Sequence, residues 1–223
     1  RTPVAPRRSG TGAFREIVRR DAASALRSLS LDTAAREFYK RRTRIRIRYQ
    51  EPVMSTQVGD ELAIVELTGM FQQAMAAVCS PVSVVTTYLD GRAHGTTVSA
   101  FTSLSMDPPM VLISLDRGSD SLRAISAAGS FGLNVLSSQQ AQDALVFAKK
   151  GGPEKFHGRR WSDCEQLPRL DDVAAFVACQ VESIAEGGDH QIVLGRVTAA
   201  DVTGRPPLTY HNRTFGTHNR LTE

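Results

Sequence analysis

Between His94 and Pro109 the chain reads HGTTVSAFTSLSMDPP and carries six hydroxyl residues, Thr96, Thr97, Ser99, Thr102, Ser103 and Ser105. Short hydroxyls and free backbone N–H groups let a loop approach a flat polar ring and a phosphate without setting a charge against either. Composition alone equally allows a Ser/Thr-rich turn between two strands. A second candidate is His190, which follows Gly187-Gly188-Asp189 and opens a strand-like run. A lone histidine is more often structural or on the surface, so spacing by itself assigns it no role. The cysteines Cys79, Cys164 and Cys179 show no CxxC spacing and no paired histidines, which argues against zinc or a disulfide framework and for a reducing cytoplasm. No GxGxxG follows a strand and opens a helix, so a Rossmann unit is not expected.

The elements that must position these residues follow from periodicity. Val65 to Val78 places Leu67, Met70, Phe71, Ala74, Met75 and Val78 on one face of an expected amphipathic helix. After Pro81, VSVVTTYL and RAHGTTVSAF form a hairpin about Asp90-Gly91. MVLISLD is a strand, SDSLRAISAAG a short helix stopped by Gly129, and FGLNVL another strand. SSQQAQDALVFAKK reads as a helix capped by Ser137 or Ser138, and KKGGPEKFHGRRW as a basic, Gly-rich loop. AAFVACQVESIAE and HQIVLGRVTAADV make a long hairpin about Gly187-Gly188, and LTYHNRTFG adds a last edge strand. This order predicts a mainly β chain with helical inserts, an antiparallel barrel rather than a doubly wound parallel sheet.

Charge divides the chain. Residues 1–53 hold 14 Lys and Arg against 5 Asp and Glu, whereas residues 54–223 hold 13 against 18. The opening RTPVAPRRSGTG reads as disordered or as a leader. Phe14 to Leu29 and Asp32 to Tyr39 have helical spacing, and RRTRIRIRYQ suits a strand with one charged face. A nucleic-acid arm, an Arg-rich targeting peptide and sequence upstream of a start at Met54 all remain open for this extension. No groove-reading element accompanies the arginines, so nucleic-acid binding is not expected of the protein. Residues 54–223 form the expected functional domain. No apolar run reaches the roughly 18 to 20 residues of a membrane span.

TVSAFTSLSMDPPMVLISL resembles the signature segment of the flavin reductase family, the reductase components of two-component flavin-dependent monooxygenases. FQQAMAAVCSPVSVVTT, FGLNVL, EKFHGRRW, GDHQIVLGRV and PLTYHNRTFG are similar to further family segments in the family's order. Six ordered matches from Phe71 to Phe215 are more specific than any one alone. The resemblance implies an FMN-binding split barrel without metal. It implies that Thr96, Thr97, Val98, Ser99 and Ala100 line the flavin ring, largely through backbone groups. Ser103, Leu104, Ser105, Asp116, Ser119 and Ser121 would surround the ribityl chain and phosphate. Ser119 reads equally as an ordinary N-cap.

His190 would face the nicotinamide and is the one catalytic residue implied. Lys155 and Phe156, with His157, would close over the cleft, and Tyr210, His211, Arg213 and Phe215 would complete it. Arg159, Arg160 and Arg213 are candidates for a pyrophosphate, although surface charge is the simpler reading. The family's closing tyrosine is replaced by Phe215 here. The expected ligands are FAD, with FMN as the alternative, and NADH ahead of NADPH. The expected partner is a separate oxygenase or halogenase reached by diffusible reduced flavin, and the expected assembly a homodimer. A flavin-binding carrier or sensor, and a flavin-retaining oxidase of the pyridoxamine-phosphate-oxidase kind, are the alternatives.

Overall fold

In the computed structural model residues 58–221 are described, with side chains from residue 64. The readings made for residues 1–53 lie outside the described residues. In chain order the elements are α1 (Val58–Ala76), β1 (Ser80–Pro81), β2 (Ser83–Leu89), β3 (Arg92–Val98), β4 (Phe101–Met106) and β5 (Pro109–Asp116). Then come α2 (Asp120–Ala128), β6 (Ser130–Val135), α3 (Ala141–Phe147), a 3-10 turn (Pro153–Phe156), β7 (Trp161–Cys164) and β8 (Leu167–Leu170). β9 (Ala175–Gly187), β10 (His190–Val202), β11 (Leu208–His211) and β12 (Thr214–Thr217) close the series.

Seven strands form one antiparallel sheet in the order β3-β2-β6-β9-β10-β5-β4. Its two edge strands, β3 and β4, are consecutive in the chain and joined only by Ser99 and Ala100. A link of two residues spans roughly 10 Å at most, so the sheet must curl until its edges nearly meet. This is the split antiparallel barrel that the order of elements implies. Register shifts between Leu194 and Gly195 and between Val197 and Ala199 bend the long β9–β10 hairpin around it.

Successive residues of β2 face opposite ways, as the pleat requires. Val84 enters a cluster with Phe147, Phe156, Leu170 and Phe176, under α3 and the β7–β8 hairpin. Val85 enters a second cluster with Ile113, Phe131, Leu133 and Val193, which Leu122 and Ile125 of α2 cover. Burial on both faces explains why this strand reads as an unbroken β-branched run rather than an alternating one.

Five local expectations are corrected. Gly95–Pro109 is not an extended loop: it is the end of β3, a two-residue break and all of β4, because its β-competent Thr, Ser and Phe residues pair with β5. α1 starts earlier than expected, and Ile64, Val65, Leu67, Met70, Phe71 and Met75 on it are all exposed. α3 begins at Ala141 because the Gln140 carboxamide accepts from the Ser137 N–H at 3.0 Å and holds the preceding turn. The β7–β8 hairpin escaped the sequence reading, since it turns at Glu165-Gln166, both at positive φ without the usual Asn or Gly. LTYHNRTFG is a hairpin rather than one strand, turning at Asn212-Arg213 and pairing Tyr210 with Phe215. Among the described residues no helix is long and apolar enough to cross a membrane.

Candidate functional site

Where the chain passes from β3 to β4 the ladder is interrupted, and a cavity of about 560 Å³ opens there. Thr96, Thr97, Val98, Ser99 and Ala100 form one wall. The end of β5 brings Ser114 and Asp116, the start of α2 brings Ser119, Asp120 and Ser121, and the start of β10 brings His190. Lys149, Lys150, Gly151 and Lys155, after α3, border the remaining side. The volume is that of an ordinary small-molecule site.

Backbone geometry explains the convergence. His190 is the register partner of Asp116 across β10 and β5, and the Arg117 N–H donates to the Asp189 carbonyl at 3.1 Å. The tight Gly188-Asp189 connection needs Gly188 at φ 74°, which brings His190 to the very start of its strand. Asp116 Oδ1 accepts from the Gly118 N–H at 2.7 Å, shaping the turn into α2. Ser119 occupies the N-cap position, yet its side chain makes no cap bond. The first N–H groups of α2 therefore lack the partner an N-cap hydroxyl would provide, and a helix start of this kind suits an anion.

Hydroxyl use is selective. Thr97 donates to the Ala144 carbonyl of α3 at 2.6 Å, which ties the wall to that helix and leaves the cavity to its backbone. The hydroxyls of Thr96, Ser99, Ser119 and Ser121 have no partner among the described residues. Lys155 is buried, and its ammonium donates to the carbonyls of Gly95 at 3.1 Å and Phe147 at 3.2 Å. Burial pulls its pKa below the ordinary lysine value, with Glu154 and Asp120 opposing that shift. Gly95 is needed beside it, because a Cβ there would meet the Phe147 and Phe156 rings at 3.0 to 3.3 Å.

His190 Nδ1 lies 2.8 Å from Asp189 Oδ1. That hydrogen bond, with the charge of the ring when protonated, holds the Asp189 carboxyl below its usual range. The pairing engages one ring nitrogen and leaves Nε2 for a ligand.

Of the residues singled out in the sequence, the cavity gathers Thr96, Thr97, Val98, Ser99, Ala100, Asp116, Ser119, Ser121, Lys155 and His190. Ser103, Leu104 and Ser105 sit on β4, outside it, with a bulge between Ser103 and Ser105. Phe156 is a core residue packed edge-on to Phe147 and Trp161 rather than a lid, and His157 is exposed. Tyr210, His211 and Phe215 belong to the separate β1-β11-β12 sheet, and Arg213 to the turn between its last two strands. Arg159 pairs with Asp143 at 2.9 Å and Arg160 with Asp172, so both guanidinium groups are engaged away from the cavity. Sequence reasoning passed over Lys149 and Lys150, although a lysine pair before Gly151-Gly152 was a visible signal. No cluster of three metal-ligating side chains occurs among the described residues.

Comparison with known proteins agrees with this architecture. Residues 75–218 match the model of the flavin reductase like domain. The reductase component of 4-nitrophenol 4-monooxygenase/4-nitrocatechol 2-monooxygenase from Rhodococcus opacus is 36% identical over 146 residues, covering 66% of this chain and 78% of that protein. A probable flavin reductase from Rhizobium meliloti is 33% identical over 158 residues, covering 70% of this chain; the chain spans about half (49%) of that relative's length. The NADH:FAD oxidoreductase SgcE6 of Streptomyces globisporus C-1027, solved with NAD and FAD fragments, superposes with a TM-score of 0.64 at 26% identity. That match covers 70% of this chain and 94% of the solved one.

Proposed function

Because the chain belongs to the flavin reductase family, we propose that it takes electrons from NADH, reduces FAD and releases the reduced flavin to a separate oxygenase or halogenase. The observation that carries this reading is the cavity at the β3–β4 break, whose wall from Thr96 to Ala100 offers backbone groups and unspent hydroxyls and no charged side chain. That donor set fits a flavin: a neutral polar wall for the ring, and the start of α2 with Ser119 and Ser121 for a phosphate. The flavin, when bound, supplies a ring that accepts hydride from a nicotinamide. The residues of the chain bind and orient. Thr96 to Ala100 would hold one edge of the ring, and the hydrogen bond from Asp189 orients His190, whose free Nε2 would be open to the nicotinamide. Packing two rings face to face in a shaped cleft replaces a bimolecular encounter by a positioned one.

FAD is favoured over FMN and NADH over NADPH by the overall likeness to reductases such as SgcE6, an NADH:FAD oxidoreductase. The free thiols Cys79, Cys164 and Cys179 suit a cytoplasmic location. The assembly proposed is a homodimer. α1 is about 28 Å long by its 19 residues, and its apolar side chains from Ile64 to Met75 are exposed, a surface a soluble monomer rarely presents. A second copy related by two-fold symmetry is the commonest cover. Light scattering on the eluting protein should give twice the chain mass, and Phe71→Glu should shift it to the monomer.

The activity is tested by following NADH oxidation in the near ultraviolet with excess FAD. Turnover with exchangeable flavin is expected. No oxidation would remove the reductase reading, and flavin retained through gel filtration after reduction would favour a carrier or a self-contained oxidase. A titration in which FMN bound ten times more tightly than FAD would reverse the flavin preference.

A further inference from the structure

The flavin-reductase reading leaves unassigned the side of the cavity formed by Lys149 to Gly151, and the charges there are unbalanced. Around the cavity, each other charged group is already engaged. Asp116 caps its own turn, Asp120 pairs with Arg123 at 2.8 Å, and Arg117 pairs with Glu186. Glu154, the acid nearest in sequence, folds back so that Oε1 accepts from the Gly152 N–H at 2.7 Å; hydrogen bonds of this kind hold its carboxyl below the usual range. Lys155 is anchored to two carbonyls. Lys149 and Lys150 alone border the cavity with ammonium groups that have no partner among the described residues.

Their backbone is nevertheless held in place. Lys155 joins the Phe147 carbonyl, at the end of α3, to the Gly95 carbonyl, at the head of the ring-binding wall. The two lysines follow Phe147 after Ala148 alone, so the same contact that sets the wall also constrains their backbone. A pair of unpaired cations beside a cavity that already has a helix start for one phosphate suits a second anionic group on the same ligand or on its neighbour.

We propose that Lys149 and Lys150 form a subsite for dinucleotide phosphate beyond the one phosphate at the helix start. That phosphate has two possible sources, the adenosine-side phosphate of FAD and the diphosphate of NADH, and the chemistry that recognises it is the same. This inference rests on the reductase reading and assigns the role that Arg159 and Arg160, engaged elsewhere, do not fill.

The test compares full-length wild type with the Lys149→Gln/Lys150→Gln double variant. Dissociation constants for riboflavin, FMN and FAD are read by flavin fluorescence, and KM for NADH by turnover. FAD as the source predicts about a tenfold loss of FAD affinity, the effect of a lost charge-assisted pair, with riboflavin and FMN within twofold. NADH as the source predicts about a tenfold rise in its KM with FAD affinity unchanged. In either case the loss shrinks with added salt, and Lys149→Arg/Lys150→Arg restores binding. Equal weakening of riboflavin, equal weakening of FMN and FAD, or no change in any constant would each overturn the assignment. Wild type that neither binds flavin nor oxidises NADH would instead sink the reductase reading, so the two failures are separable.

Discussion

Strand β2 and the stretch from β3 to α2 carry the same kind of side chain and use it in opposite ways. In β2, Ser83, Thr86 and Thr87 are buried, and each hydroxyl is spent inside the fold. Ser83 donates to the Val98 carbonyl at 3.0 Å, Thr86 to Pro168 at 2.5 Å, and Thr87 to Ser130 at 2.8 Å. Asn134 joins that set: its amide donates to the Val84 carbonyl and to the Thr86 hydroxyl, and its oxygen accepts from the Leu170 N–H. Along the cavity, Thr96, Ser99, Ser119 and Ser121 keep their hydroxyls unspent. The lesson is that residue type is common to both stretches, and only the tertiary structure shows which hydroxyls the fold has already used and which it leaves open to a ligand.

The sharpest way to break this comparison is Thr86→Val. It leaves the Pro168 carbonyl with only the long contact from the Asn134 amide and that amide without one acceptor, and should cost about 3 kcal/mol of unfolding free energy in a urea titration. Flavin affinity of the folded protein should stay within twofold. A loss below about 0.5 kcal/mol would mean that the β2 hydroxyls are as dispensable as surface ones.

On the cavity side, His190→Ala should raise KM for NADH about tenfold, roughly 1.4 kcal/mol, while leaving flavin affinity within twofold. Equal effects on both ligands would reduce His190 to a packing residue. Ser119→Ala should weaken FMN about fivefold, within the range for a hydrogen bond to a charged group. Because the Ser119 side chain makes no cap bond, the thermal midpoint should not move. A drop in the midpoint with unchanged FMN affinity would return Ser119 to the structural class.

Lys155 stands between the two classes, a buried donor in the cavity wall, and its effect is the smallest. Its folded pKa lies below its ordinary value, so the unfolded chain binds more protons between the two values, and stability from this group rises with pH across that window. Lys155→Met should lack this alkaline rise, measured as the difference between the urea midpoints of the two proteins from neutral to alkaline pH. Identical profiles would show that burial does not burden the charge.

The ordered elements were largely legible because their periods are strong. Asp90-Gly91, both at positive φ, makes the expected hairpin, and the long β9–β10 hairpin turns next to Gly188. Where the reading failed, a non-local partner decided. The hydroxyl-rich stretch looked like a loop until β5 paired with it, and Glu165-Gln166 turns a hairpin without a turn signature because the flanking strands hold it. The exposure of the apolar face of α1 was not legible either, since its pattern does not say what covers Leu67, Met70, Phe71 and Met75.

By itself the sequence determined the residue types at the site, the antiparallel order of strands and, through six ordered segments, the family. Tertiary structure decided which of those residues meet. It drew Thr96 to Ala100, Ser119 and His190 to one cavity, left Ser103, Ser105 and Tyr210 to Phe215 outside it, and singled out Lys149 and Lys150. The physical reason is that a hydrogen bond or ion pair is a property of two groups, and spacing along one chain does not say which distant carbonyl or carboxylate has already taken a donor.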